Sequence, residues 1–223
     1  MEPINPEELW FNEPDSDTLC RGGGNGPNHP SQLYAILKYV VPLYEETKVP
    51  VEFLDYGSGS ATTLEAIINN CKGCPDPTHW IRYMGVDIIP KNTAWCQSVF
   101  PGHRFAVNPS IHRIDQPDKS WDVVYSRHVV DHMRLFEEAM DEHKRVAKKL
   151  VIVILWVGFS NQDEHEIKNI DYRPSGGKLY PDEYTNTYSL KKVRAYLQRD
   201  PKWELVELNE NVGNNQVIVL RRK

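Results

Sequence analysis

Val51-Glu-Phe-Leu-Asp55-Tyr56-Gly57-Ser58-Gly59-Ser60-Ala61 is the stretch on which the fold turns. Val51 to Asp55 reads as a strand. A Gly/Ser turn follows, and Leu64, Ile67 and Ile68 then mark a helix ending near Cys71 to Pro75. A strand that hands over to a helix through glycines is the opening unit of an α/β sheet. Outward from it the same alternation repeats. Ile81 to Asp87 is a second strand, and Pro90 suits the first turn of the helix after it. Arg104 to Val107 and Trp121 to Tyr125 are a third and fourth strand. Leu135, Phe136, Ala139, Met140, His143, Val146 and Ala147 trace a helical stripe, and Leu150 to Trp156 is an apolar run suited to a strand buried on both faces. Leu190, Val193 and Leu197 give a last helix stopped by Pro201. Trp203 to Leu208 and Gln216 to Leu220 then flank Asn211-Val-Gly-Asn-Asn215 as a hairpin. The expectation is a doubly wound, mostly parallel seven-stranded α/β sheet with helices on both faces and a C-terminal antiparallel hairpin.

Glycines at 57 and 59 let the backbone turn sharply and approach a ligand with no Cβ in the way. The helix start behind them offers free N–H groups to an anionic group. Asp87 ends the second strand, where a carboxylate can accept from the hydroxyls of a ribose. A nucleoside-containing ligand follows. The dinucleotide spacing Gly-x-Gly-x-x-Gly/Ala is broken by Thr62, and no Gly-Lys-Ser/Thr follows for a phosphate loop. Asp55, directly before the turn, would repel a pyrophosphate but could accept from a cationic amine, directly or through water. S-adenosylmethionine combines such an ammonium group with a ribose.

Composition bounds the rest. The chain has 223 residues and a formal net charge of −5, enough for one large core. The charge balance lacks the footprint of a general nucleic-acid binder. The longest apolar run, Leu150 to Val157, is far short of the ~20 residues of a membrane span. The acidic N-terminus is unlike a secretory signal, and four cysteines are too few for a disulfide framework, so a cytoplasmic compartment is expected. Residues 1–30, with five prolines and a triple glycine at 22–24, read as an arm or lid, and residues 31–223 as the α/β domain. In that domain Leu33, Ile36, Leu37, Val40 and Tyr44 define a first helix that Pro42 should kink or end early. Residues 158–188 form a polar insertion too long for a plain connection and suited to the substrate side.

These motifs together resemble a class I, seven-stranded S-adenosylmethionine-dependent methyltransferase, over roughly residues 31–223. Leu54-Asp55-Tyr56-Gly57-Ser58-Gly59-Ser60-Ala61 resembles the family's first motif, and Gly85-Val86-Asp87-Ile88 its second. Gln116-Pro-Asp-Lys-Ser-Trp-Asp122-Val-Val-Tyr-Ser126 is similar to the stretch leading into its fourth strand, and Arg145-Val-Ala-Lys-Lys-Leu150 to the run before its fifth. The resemblance implies that Asp55, Tyr56, Gly57, Ser58 and Gly59 contact the methionine portion. It puts Asp87 on the ribose and Ile88 beside the adenine. An acidic residue often follows the third strand to accept from the adenine amino group. Here Ser110-Ile111 stands instead, leaving a backbone contact. Ser126 and Arg127 complete the cofactor set.

Methyl transfer from a sulfonium needs an in-line nucleophile, so positioning supplies much of the rate. The segment beyond the fourth strand, Ser126-Arg127-His128-Val-Val-Asp131-His132, should face the sulfonium. His128 is the candidate base or orienting group, while Asp131 and His132 are catalytic candidates that could equally cap and pack the next helix. Cys71-Lys-Gly-Cys74 has zinc-type spacing with His79 nearby, but no second pair completes four ligands, so no metal is expected. The implied acceptor is a small molecule. Two other readings stay open: a nicotinamide-dependent oxidoreductase on the same turn, and a catalytically silent methyltransferase-like binding module.

Overall fold

The computed structural model describes residues 29–70, 79–110, 112–133, 135–156, 158–160, 166–169 and 184–223. Seven strands form one sheet: β1 (Val51–Tyr56), β2 (Ile81–Asp87), β3 (Arg104–Val107), β4 (Trp121–Arg127), β5 (Ala147–Leu155), β8 (Trp203–Val212) and β9 (Asn215–Arg222). Their order is β3-β2-β1-β4-β5-β9-β8. The first five run parallel, whereas β9 lies antiparallel between β5 and β8. Two short strands, β6 (Glu166–Asn169) and β7 (Tyr184–Thr187), pair separately, so part of the insertion forms its own small sheet. Among the described residues no helix is long and apolar enough to cross a membrane. The arm expected over residues 1–30 lies outside the description up to residue 28, and Pro30 already opens a helix.

The strand period of two divides the core. Leu54, Tyr56, Val124, Val151, Val153, Ile218 and Leu220 face one cluster. Val51, Phe53, Val123, Tyr125, Leu150, Ile152, Ile154, Val217 and Val219 face the other. β5 feeds both, and its residues from Leu150 to Leu155 have no exposed surface, the mark of a parallel strand covered on both sides. α5 (Phe136–Val146) and α6 (Leu190–Gln198) cover the first face with Phe136, Ala139, Met140, Val193 and Leu197. α1 (Pro30–Ala35), the π-helical segment Ile36–Val40 and α3 (Thr62–Asn70) cover the second, which also takes Cys96 of α4 (Pro90–Val99).

Three local expectations are corrected. Pro42 does not end the first helix. The turn before it widens to a π-helix, Val41 N–H bonding Ile36 O, and the chain continues as α2 (Val41–Thr47). This is how a helix absorbs the hydrogen bond that proline withholds. The buried stripe of that helix includes Gln32, Ala35, Ile36, Tyr39 and Val40, a regular i, i+3, i+4 spacing, and Leu37 lies outside it at 52% exposed. β5 begins at Ala147, three residues before the apolar run, since Ala147 already pairs with Trp121 of β4, and the Arg222 side chain donates to the carbonyls of Lys144 and Ala147.

Candidate active site

The strand order reverses between β1 and β4, and the crevice beyond their carboxyl ends is where open α/β sheets bind ligands. Register sets Tyr56 beside Val86 and Ser126, and Asp87 beside Val107, along this edge. Gly57 crosses from strand to turn at φ +73°, its N–H on Val86 O at 2.8 Å. A Cβ there would lie 2.2 Å from Cγ2 of Val129 in the loop after β4. The glycine is therefore demanded by backbone angle and by the near approach of the two loops that wall the crevice. Gly59 and Ala61 also have positive φ, so the turn coils tightly before α3 begins.

Asp87 holds this turn. Its Oδ2 accepts from Gly59 N–H at 2.8 Å, and its Oδ1 from Ile89 N–H at 2.9 Å and the Asn92 amide at 3.2 Å. Burial raises its pKa against those three hydrogen bonds, which favour the carboxylate. A carboxylate has about four acceptor positions. Three are taken, so one further hydroxyl fits without displacing Asn92, where the sequence suggested two. Ile88 is half-buried beside it.

Asp55 is 2% exposed and shares a face with Phe53 and Tyr83, because alternation along β1 turns it inward. Tyr83 donates to its Oδ2 at 2.6 Å. Burial pushes its pKa up to about 7, opposed by Tyr83 and Thr63. Ser58 is buried, its N–H on Val86 O. The Tyr56 side chain reaches the other way, its hydroxyl donating to Ser110 O and its ring edge-on to His143.

The Ser126 side chain points into the core. It is fully buried under α5, where the alternation of β4 directs it, and its hydroxyl bonds Nε2 of His143 at 3.0 Å. His143 Nδ1–H donates to Ala139 O, and burial lowers its pKa to about 4. Arg127 is half-buried at the strand end.

His128 follows with φ +57° and its N–H on Ile154 O, a left-handed residue held in place by β5. Its Nε2 accepts from the Asn215 amide at 3.0 Å. Burial, then the nearby Arg127, His29 and His132, lowers its pKa to about 2. The ring offered by the sequence as base or orienting group thus has its Nε2 lone pair already engaged. Asp131 is fully buried in the 3₁₀ turn Val130–His132. His132 is half-buried with its ring 6.4 Å from that of Trp156.

Sequence reasoning missed Asn108 and Asn215. Asn108 is buried after β3 and donates to Ser110 O and Arg113 O while accepting from Asp115 N–H. It shapes the loop where an acidic residue was sought. A lone asparagine after a strand was the available signal. Ile111, expected at that loop, lies outside the described residues, as do Cys71 and Cys74.

Residues 54–155 match the profile of a family described as Methyltransferase domain. Among solved structures, magnesium protoporphyrin IX methyltransferase from Synechocystis PCC 6803 with bound SAM aligns at TM-score 0.62 with 11% identity, over 100% of both chains. A chain from the complex between the Haloferax volcanii Trm112 methyltransferase activator and a methyltransferase aligns at 0.57 with 14% identity, over 94% of this chain and 98% of that one. The [4+2]-cyclase SpnF aligns at 0.53 with 13% identity, over 83% and 80%. No curated protein sequence matches significantly. The chain therefore has the class I S-adenosylmethionine-dependent methyltransferase fold. The name of SpnF describes a cyclase, so the fold by itself does not fix the chemistry.

Proposed function

We propose that this chain is an S-adenosylmethionine-dependent methyltransferase acting in line on a small-molecule acceptor. The observation that carries this reading is the clamp of the Gly57–Gly59 turn onto Asp87 at the switch point, with Val129 packed into the space that Gly57 leaves. In this reading Gly57, Ser58 and Gly59 bound the methionine end, with Asp55 beneath them. Asp87 keeps an acceptor position for a ribose hydroxyl, and Ile88 and the loop shaped by Asn108 wall the adenine. The bound cofactor would supply a methyl group on a sulfonium, an electrophile that needs an aligned nucleophile more than a strong base. An uncharged His128 suits that demand by orienting rather than deprotonating. The net charge of −5 favours a small acceptor over nucleic acid, and the protein would act in the cytoplasm.

Calorimetry with S-adenosylmethionine and with NAD tests the cofactor, with Asp87→Ala as control. Binding of NAD alone would install the oxidoreductase reading. The engaged lone pair of His128 also favours a second reading, a silent binding module, over a base-dependent enzyme. Release of S-adenosylhomocysteine across a panel of small acceptors decides between them.

A further inference from the structure

His29, Ser31, Asn215 and His128 come from three distant parts of the chain and meet at one end of the crevice. Asn215 opens β9 immediately after the Gly213-Asn214 turn, whose two residues both have positive φ. His29 caps α1. The Oγ of Ser31 lies 2.8 Å from His29 Nδ1 and 2.7 Å from the Asn215 amide nitrogen. That amide nitrogen also lies 3.0 Å from His128 Nε2.

The direction of every hydrogen bond in this row is fixed from one end. Ser31 N–H, a donor that cannot reverse, points at His29 Nδ1, and His29 also bonds the backbone of Gly213. His29 therefore carries its proton on Nε2 and a lone pair on Nδ1. The Ser31 hydroxyl, closer to that lone pair at 2.8 Å than the N–H at 3.3 Å, shares it as a second donor, because two acceptors would repel at that distance. Its oxygen is then left to accept, so Asn215 must turn its NH2 toward Ser31. Turned the other way, the amide oxygen would face a hydroxyl oxygen with no hydrogen between them. One hydrogen of the NH2 serves Ser31 and the other meets His128 Nε2, which must be a lone pair.

We infer that Ser31 and Asn215 hold His128 as its Nδ1–H tautomer, so that His128 serves the crevice as a hydrogen-bond donor and not as a base. Nδ1 makes no hydrogen bond among the described residues. Arg127, His29 and His132 are the charged or titratable groups around the ring, and none of them offers an anion that would stabilise a second proton. The left-handed backbone of His128 fits this role, since strain at a crevice residue persists only where its surroundings fix it. Asn215 and Ser31 are thus positioning residues. Their effect on turnover rests on the methyltransferase reading, but the tautomer does not.

Long-range ¹⁵N–¹H spectra of the full chain labelled at histidine test the tautomer directly, with His128 assigned by the signal lost in His128→Gln. The expected pattern is a protonated Nδ1 and bare Nε2 that do not change between about pH 5.5 and 8, a range in which a free histidine titrates. A protonated Nε2, or a midpoint near 6.5, would overturn the inference whatever the protein does. Asn215→Asp puts a carboxylate against Nε2 and should bring the His128 midpoint into that range. If that variant does not fold, Ser31→Ala, which removes only the middle of the row, should make both tautomers visible. An unchanged spectrum in the folded variant counts against the relay. Where methyl transfer is found, Asn215→Ala should lower kcat by roughly tenfold, about one lost hydrogen bond, with KM nearly unchanged. A change in KM alone would contradict the positioning role. Absence of methyl transfer with the expected spectrum would remove the enzyme reading and leave the relay standing.

Discussion

The two sides of the crevice are built differently. On the β1–β2 side the turn, its carboxylate clamp and the start of α4 come from residues 55–92, with Asp87 bonding Gly59, Ile89 and Asn92. On the β4–β9 side His128 depends on residues 31 and 215. The first side is specified by local spacing that any strand–turn–helix unit of this kind repeats. The second exists only after β9 has inserted between β5 and β8, which brings Asn215 to the carboxyl edge. Local encoding makes the first side rigid and recognisable, whereas the second can vary without touching any motif.

Gly57→Ala attacks a contact that joins the two sides, and should have the largest effect. The added methyl meets Val129 and a left-handed backbone, costing about 1–3 kcal/mol for overpacking and about 1–2 kcal/mol for the backbone. Urea denaturation should show a clear loss of stability. Val129→Ala in the same chain should restore only the packing part, and full restoration would mean that the angle carries no cost. Asp87→Asn tests the local side alone. It sets an NH2 group against the N–H donors of Gly59 or Ile89, and should cost about 1–3 kcal/mol in the same assay. A neutral result would show that the turn holds without its clamp.

A smaller effect with a definite sign is expected at Asp55. Its folded pKa of about 7 lies above its ordinary value of 3.8. The fold thus favours the protonated carboxyl, and this contribution is complete below 3.8 and lost as pH rises through about 7. Asn cannot ionise and still accepts from Tyr83. The Tm advantage of Asp55→Asn over wild type should therefore grow from pH 5 to pH 8, and an advantage that shrinks with pH would reverse the assignment. His128 titrates oppositely. Its folded pKa lies below 6.5, so its contribution is present above 6.5 and is lost as pH falls toward about 2. The smallest effect is at Leu37, on the helix carrying Ser31. Being 52% exposed, it should tolerate Lys within about 0.5 kcal/mol, and a larger loss in thermal melting would put it back in the core.

Much of the sheet could be read from the chain, since period-two alternation and glycine turns are local signals. The strands Ile81–Asp87 and Arg104–Val107 end where the sequence placed them. Other placements needed the surroundings. Which side of the first helix is covered leaves Leu37 outside, and at Ser126 and Asp55 the pleat decides which face a polar residue meets. None of these is a matter of composition.

The sequence by itself determined the alternation of strands and helices, the glycine turn and the acid at the end of β2. Those are encoded within a few residues of each other, where backbone freedom and hydrophobic period act directly. Only the tertiary structure decided that Asp55 is an interior carboxyl, that Ser126 serves His143, and that His128 takes its tautomer from Asn215. The protonation and direction of a buried polar group depend on the partners packed around it, and here those partners lie 28, 17 and 87 residues away along the chain.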